Sequence, residues 1–159
     1  MTTLFKSDEV EFKCLNDNGI YILYMNTLTD VRNINYDKIG EISSVFTTIL
    51  ETYNKQNIKY GILYDIRRTD GIPNKKLLDY WTKFFNEHHD TMFNNQMISV
   101  ILINNNELIN VLNGLVKIFQ PVGQVTFLSN YDEGFNIITE CLRKIKVPKK
   151  IKSRLKNMF

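Results

Sequence analysis

The residues best suited to chemistry sit together in one short loop, Arg67-Arg68-Thr69-Asp70-Gly71. Two guanidinium groups offer planar forks of N–H donors that match carboxylate or phosphate oxygens. The apolar stretch before the loop, KYGILYDI, reads as a strand, and the stretch after it reads as a helix whose first turn accommodates Pro73. The loop therefore falls at the C-terminal end of a predicted parallel strand and beside a helix N-terminus. Ligands of open α/β sheets gather at that edge, and a helix N-terminus favours anions. On this reading Arg67, Arg68, Thr69 and Asp70 are candidate ligand-binding residues. The competing reading is a solvated turn, in which Asp70 and Gly71 supply turn and cap geometry.

Other chemistries find less support. His88 and His89 in NEHHD are the only histidines. Neighbours on a helix point about 100° apart, so the two do not converge on one metal, and H-E-x-x-H is absent. No metal ligand set and no cofactor is expected. Neither G-x-G-x-x-G, G-x-x-x-x-G-K-[ST] nor G-x-S-x-G occurs. Cys14 falls in a strand and Cys141 on the inner face of a helix, and they read as free, unreactive thiols of a reducing compartment. The acidic residues in KSDEVE and YDEGF read as a solvated terminus and a helix start. No catalytic residue is assigned, and the chain is expected not to be an enzyme.

The elements that must position the loop follow from hydropathy patterning. VEFKCL alternates, with Val10, Phe12 and Cys14 on one face. NDNG supplies hairpin turn chemistry, and IYILYM follows, apolar on both faces and hence central. Ile39, Ile42, Phe46, Ile49 and Tyr53, widened by Val45 and Leu50, recur at helical spacing. KYGILYDI is the third strand. Leu77, Leu78, Trp81, Phe84, Phe85 and His88 mark a second helix, MISVILI a fourth strand and NELINVLNGLVKIF a third helix, with NNN before it as a cap. VGQVTFL is a fifth strand. A last helix turns Phe135, Ile138, Cys141, Leu142 and Ile145 inward. The expected order is β-β-α-β-α-β-α-β-α: a single-layer, mixed, mostly parallel five-stranded sheet flanked by four helices, with one antiparallel strand at its edge.

The third helix carries more apolar surface than one stripe needs. Leu108, Val111, Leu112, Leu115, Ile118 and Phe119 form an expected core stripe, and Ile109 and Val116 extend it. Such an arc is either deeply buried or meets a partner, so Ile109 and Val116 are candidate partner-surface residues.

With 159 residues, 43% hydrophobic, 12% aromatic and 23% charged, the chain has the composition of one globular domain with a proper core. No run approaches a membrane span, and the first residues do not read as a signal peptide. The Asn-, Ile- and Lys-rich composition is of the kind an AT-rich genome encodes, a large DNA virus among the candidates, and a cytoplasmic (or virion) location is expected. Eight of the 20 basic residues and none of the 17 acidic ones lie from Arg143 onward, so the body carries about −5 and the remainder +8. The domain is read as residues 1–146. Residues 147–159 form a basic tail with Lys149, Lys150, Lys152, Arg154 and Lys156 around the apolar stripe Ile151, Leu155 and Phe159. Packing on the acidic body, contact with nucleic-acid phosphates and attachment to an anionic membrane stay open for it.

The order and lengths of the elements over residues 8–146, with the strand-to-loop segment ILYDIRRTDG, resemble the STAS domain. This is the fold of anti-sigma-factor antagonists and of the cytoplasmic ends of sulfate transporters, related to the CRAL-TRIO lipid-binding fold. Regulatory STAS proteins carry a D-S-S-G type turn whose phosphorylatable serine opens the next helix. Here the turn reads Asp65-Ile66-Arg67-Arg68-Thr69-Asp70-Gly71, and Thr69 is its only hydroxyl. The resemblance implies a regulatory protein–protein interaction domain, self-associating or meeting another protein, without the phosphoacceptor serine. Two further readings are a small-ligand or lipid-binding domain, with a pocket under the first two helices and the Arg67–Arg68 loop at its mouth, and a nucleic-acid-associated protein using the basic tail.

Overall fold

The computed structural model of the chain describes residues 1–90, 94–119 and 123–156, with side chains to residues 118 and 145 in the second and third segments. The first strand, β1 (Thr2–Lys6), pairs antiparallel with β2 (Val10–Asp17), which a two-residue turn joins to β3 (Ile20–Thr27). Asn18 and Gly19 form that turn with φ of 51° and 75°. Two positive φ angles give the primed turn whose twist matches its flanking strands. Three parallel strands follow, β4 (Tyr60–Asp65), β5 (Gln96–Leu102) and β6 (Gln124–Leu128), and the sheet runs β1-β2-β3-β4-β5-β6.

The sheet thus has six strands, not five, and its antiparallel edge is β1 rather than β2. The extra strand was illegible because only Phe5 of its five residues is partly buried; a strand lying on an edge with one contact carries no alternation. Phe5 sits 5.9 Å from the Phe12 ring. The expectation that KSDEVE is a solvated terminus also fails. Glu9 and Glu11 are buried, because β1 covers the strand that carries Glu11. Lys13 lies 2.8 Å from Glu11 and Lys38 lies 3.4 Å from Glu9.

The crossovers are α1 (Tyr36–Lys55), α2 (Lys75–Glu87) and α3 (Asn106–Phe119), and α4 (Tyr131–Lys156) follows β6. Each parallel strand lies next to its predecessor, so right-handed crossovers place all three connecting helices on one face. That face carries Phe12, Leu23, Tyr60 and Ile62 against Ile42, Phe46, Leu50 and Phe84. The other face carries Ile22, Tyr24, Leu63, Ile98 and Val100 against Ile138 and Leu142 of α4. An asparagine starts each of these four α-helices: Asn35, Asn74, Asn105 and Asn130 accept the amides of Asp37, Leu77, Leu108 and Glu133 at 2.9–3.0 Å. Such caps satisfy N–H groups that have no partner within the helix.

The helix α3 departs from its expected core role. Of its apolar side chains only Leu108 is fully buried, and Ile118 is 66% exposed. The helix packs on α2. Phe119 lies outside the described side chains, as do those of the basic tail; the backbone of α4 includes Pro148 and continues to Lys156.

The sheet and α4 approach closely at Gly61. A Cβ there would meet Ile138 Cγ2, with Ile98 Cγ2 at 3.2 Å. Gly61→Ala is expected to lower stability by about 1–3 kcal/mol through overpacking, read as a lower urea midpoint at unchanged slope. Paired with Ile138→Ala, the combined loss should fall short of the sum of the single losses. Simple additivity would show that the two groups do not meet.

Candidate functional site

Two places in this fold have the shape of a site: a polar cluster at the C-terminal ends of the parallel strands, and an apolar cavity beneath the crossover helices. The polar cluster is organised around Asp65, the last residue of β4. Its carboxylate accepts from Tyr24 Oη at 3.0 Å, from Arg67 Nε at 2.9 Å and from Arg67 Nη2 at 2.6 Å. Its carbonyl accepts from Thr27 Oγ1 at 2.9 Å. Arg67 also reaches the Ser129 carbonyl at 3.4 Å. The Arg67 fork is therefore directed at a carboxylate of its own chain. Two N–H groups in parallel on one carboxylate form the strongest pairing a guanidinium makes, which removes Arg67 as the ready anion receptor that a bare loop would offer.

The remaining loop residues also serve structure. Arg68 is exposed and donates to the Leu28 carbonyl at 3.0 Å. Thr69 is 1% exposed, and its Oγ1 accepts from the Val31 amide at 3.3 Å. A hydroxyl so enclosed is closed to a modifying enzyme while the loop is folded. The Asp70 amide donates to Asp30 Oδ2 at 3.3 Å and its carbonyl accepts from Asn105 Nδ2 at 3.0 Å. Of the four candidates, Arg67 and Arg68 line one polar depression of about 330 Å³, with Tyr24, Asn26, Asp65 and Asn104; Thr69 and Asp70 do not line it.

These contacts set the acid response. Burial pushes the Asp65 carboxyl up, but the Arg67 hydrogen bonds and charge outweigh it, and the group ends below the usual 3.8. Asp30, hydrogen-bonded through both oxygens to Arg32, lies at about 2. Both folded values lie below the unfolded one, so both contributions are present above about pH 4 and lost as pH falls through the folded values. The urea midpoint is expected to drop between about pH 4 and pH 2. Asp30→Asn should flatten that drop while lowering the midpoint at pH 7. An unchanged acid slope would remove Asp30 from this role.

The cavity holds about 210 Å³ and lies between the sheet and α1, α2 and α3. Phe46 lines it from α1, Leu78, Trp81 and Phe85 from α2, and Leu112 and Leu115 from α3. Val116, expected to extend α3 toward a partner, lines this cavity, and Ile109 is half-buried. Among the described residues none of the lining is charged; the polar ones are Thr27, Tyr64, Gln96 and Ser99.

A backbone irregularity places two of these. The β4–β5 register shifts between Tyr60 and Gly61, whose partners are Gln96 and Ile98. Met97 is the extra residue of a bulge, so Gln96 and Ser99, three apart, fall on the same face. The Gln96 amide bonds Ser99 Oγ, and Gln96 Oε1 is buried with no partner among the described residues. Tyr64 stands on β4 against the Phe46 ring at 6.3 Å. Its hydroxyl makes no hydrogen bond among the described residues, and burial pushes its pKa well above the usual tyrosine value, with Tyr60 adding to it. Sequence reading missed all three. The signal was a serine inside MISVILI, a strand otherwise apolar on both faces.

His88 ends α2 with its ring 4.7 Å from that of Phe84, and His89 Nδ1 lies 3.2 Å from Asp90. Among the described residues no group of three or more His, Cys, Asp or Glu is placed to hold a metal, and no helix is long and apolar enough to cross a membrane. Cys14 accepts from Tyr53 Oη at 2.9 Å, and Cys141 is half-buried. No protein-family model matches the chain, and a search of curated proteins returns no match.

Proposed function

We propose that this chain is a non-enzymatic, STAS-like α/β domain that holds a small apolar molecule beneath α1, α2 and α3. The observation that carries this is the cavity itself, about 210 Å³ with no charged side chain among the described residues of its lining. An apolar cavity of about 150 Å³ stays dry and takes up benzene. An apolar occupant covers the apolar side chains that face this half-open space, and removing apolar surface from water is favourable. The polar depression at Arg67 is the weaker candidate, because the guanidinium already holds Asp65.

Naphthalene, an uncharged two-ring probe, is expected to raise Tm with concentration and to perturb the methyl resonances of Leu112, Leu115 and Ile101. Leu112→Trp should fill the space, abolish both effects and leave the fold intact. Binding that survives Leu112→Trp would place the probe elsewhere.

A second reading, self-association through α3, draws on the exposure of Ile118 at 66%, with Ile72 exposed at 45% on the loop before α2. Light scattering at high concentration should then give a dimer mass that Ile118→Lys reduces to the monomer. A monomer throughout removes this reading.

A further inference from the structure

The cavity's chemistry narrows its occupant further than "apolar". Tyr64 lies on a central strand beneath the helices, with β3 and β5 on either side. It is only partly covered, and the surface it keeps borders the cavity. Its hydroxyl has both a donor and an acceptor unused among the described residues. A tyrosine hydroxyl buried away from water ordinarily finds a hydrogen-bond partner, and leaving one unmet is unfavourable. No described residue supplies that partner; the ring itself meets the Phe46 ring edge-on.

We infer that the occupant is a neutral molecule, with an aromatic or aliphatic body and one uncharged oxygen function, hydroxyl or carbonyl, which the Tyr64 hydroxyl meets. This rests on the cavity being a ligand site. A bare hydrocarbon fills the space but leaves the Tyr64 hydroxyl unsatisfied. A carboxylate or phosphate meets no cation among the described residues of the lining, which include no Lys, Arg or His, and an unpaired buried anion carries a heavy desolvation penalty. Arg67 and Arg68 do not supply the charge; they line the separate polar depression, and Arg67 is committed to Asp65. Gln96 Oε1 is a second unpaired group, at the other end of the lining. Gln96 is the strand partner of Tyr60, four residues before Tyr64, so roughly 13 Å separates the two positions at about 3.3 Å per residue. One oxygen function therefore meets one end only. Tyr64 keeps accessible surface, whereas Gln96 Oε1 is fully covered.

The test compares three probes with one ring system: 2-naphthol, naphthalene and 2-naphthoate, titrated at pH 7 into the full chain and into Tyr64→Phe by calorimetry and amide chemical shifts. Removing a hydroxyl that bonds nothing leaves the fold unchanged, which the Tm of the free variant checks. The expected result is 2-naphthol binding about five- to tenfold more tightly than naphthalene, the scale of one hydrogen bond, with 2-naphthoate weakest. In Tyr64→Phe the naphthol preference should vanish while naphthalene affinity stays the same. Equal affinity of naphthol and naphthalene, a preference that persists in Tyr64→Phe, or naphthoate binding as tightly as naphthol would each overturn this inference and leave the cavity reading standing. Failure of all three probes to bind the unaltered chain overturns the cavity reading, and this inference with it.

Discussion

The handedness of β-α-β connections governs this molecule. The four parallel strands β3 to β6 lie side by side in chain order, and a right-handed crossover between neighbours puts its helix on the same face each time. Three helices must therefore share one side of a short sheet, while the opposite side is left for α4 alone. Long α4 covers β3, β4 and β5 closely, to the point that β4 needs a glycine at position 61 beneath Ile138. The crowded side behaves differently. There α1 and α2 cover the apolar cluster around Phe12, Leu23 and Ile62, α3 packs on α2, and the cavity lies between these helices and the sheet.

The same connectivity explains why the polar chemistry is drawn inward. All four parallel strands end at one edge, where strand-end side chains converge. Asp65, Tyr24 and Thr27 meet there from β4 and β3. A carboxylate 6% exposed needs a cation, and Arg67, two residues on, is close enough to supply one. The loop 67–71 is then tied to residues 28–32 and to Asn105. The loop that reads in the linear sequence as cationic also serves to tie the end of the sheet to its neighbours.

Much of the architecture was legible. The alternation in VEFKCL, the Asn-Gly turn and the three- and four-residue spacing in α1 and α2 are local signals, and each appears as an element near its expected place. The asparagines that mark a compositional bias also start α1 to α4. What was not legible shares one physical character: it depends on a neighbour distant in sequence. β1 has no pattern of its own because an edge strand with one buried side chain needs none. Thr69 reads as an available hydroxyl until Val31 covers it. Ile118 reads as core, and in the folded chain it is exposed.

The chain's own residue pattern determined the alternation of strands and helices, the hairpin that opens the main sheet, the α/β class and the inward faces of α1, α2 and α4, because turn chemistry and hydropathy period act over a few residues. Only the tertiary structure decided that Arg67 faces Asp65, that Gln96 and Ser99 share a face across a bulge, and that Tyr64 borders an apolar space. Those outcomes depend on register, on the packing of helices past one another and on burial. Each arises from atoms brought together by the whole fold, and no short stretch of sequence contains them.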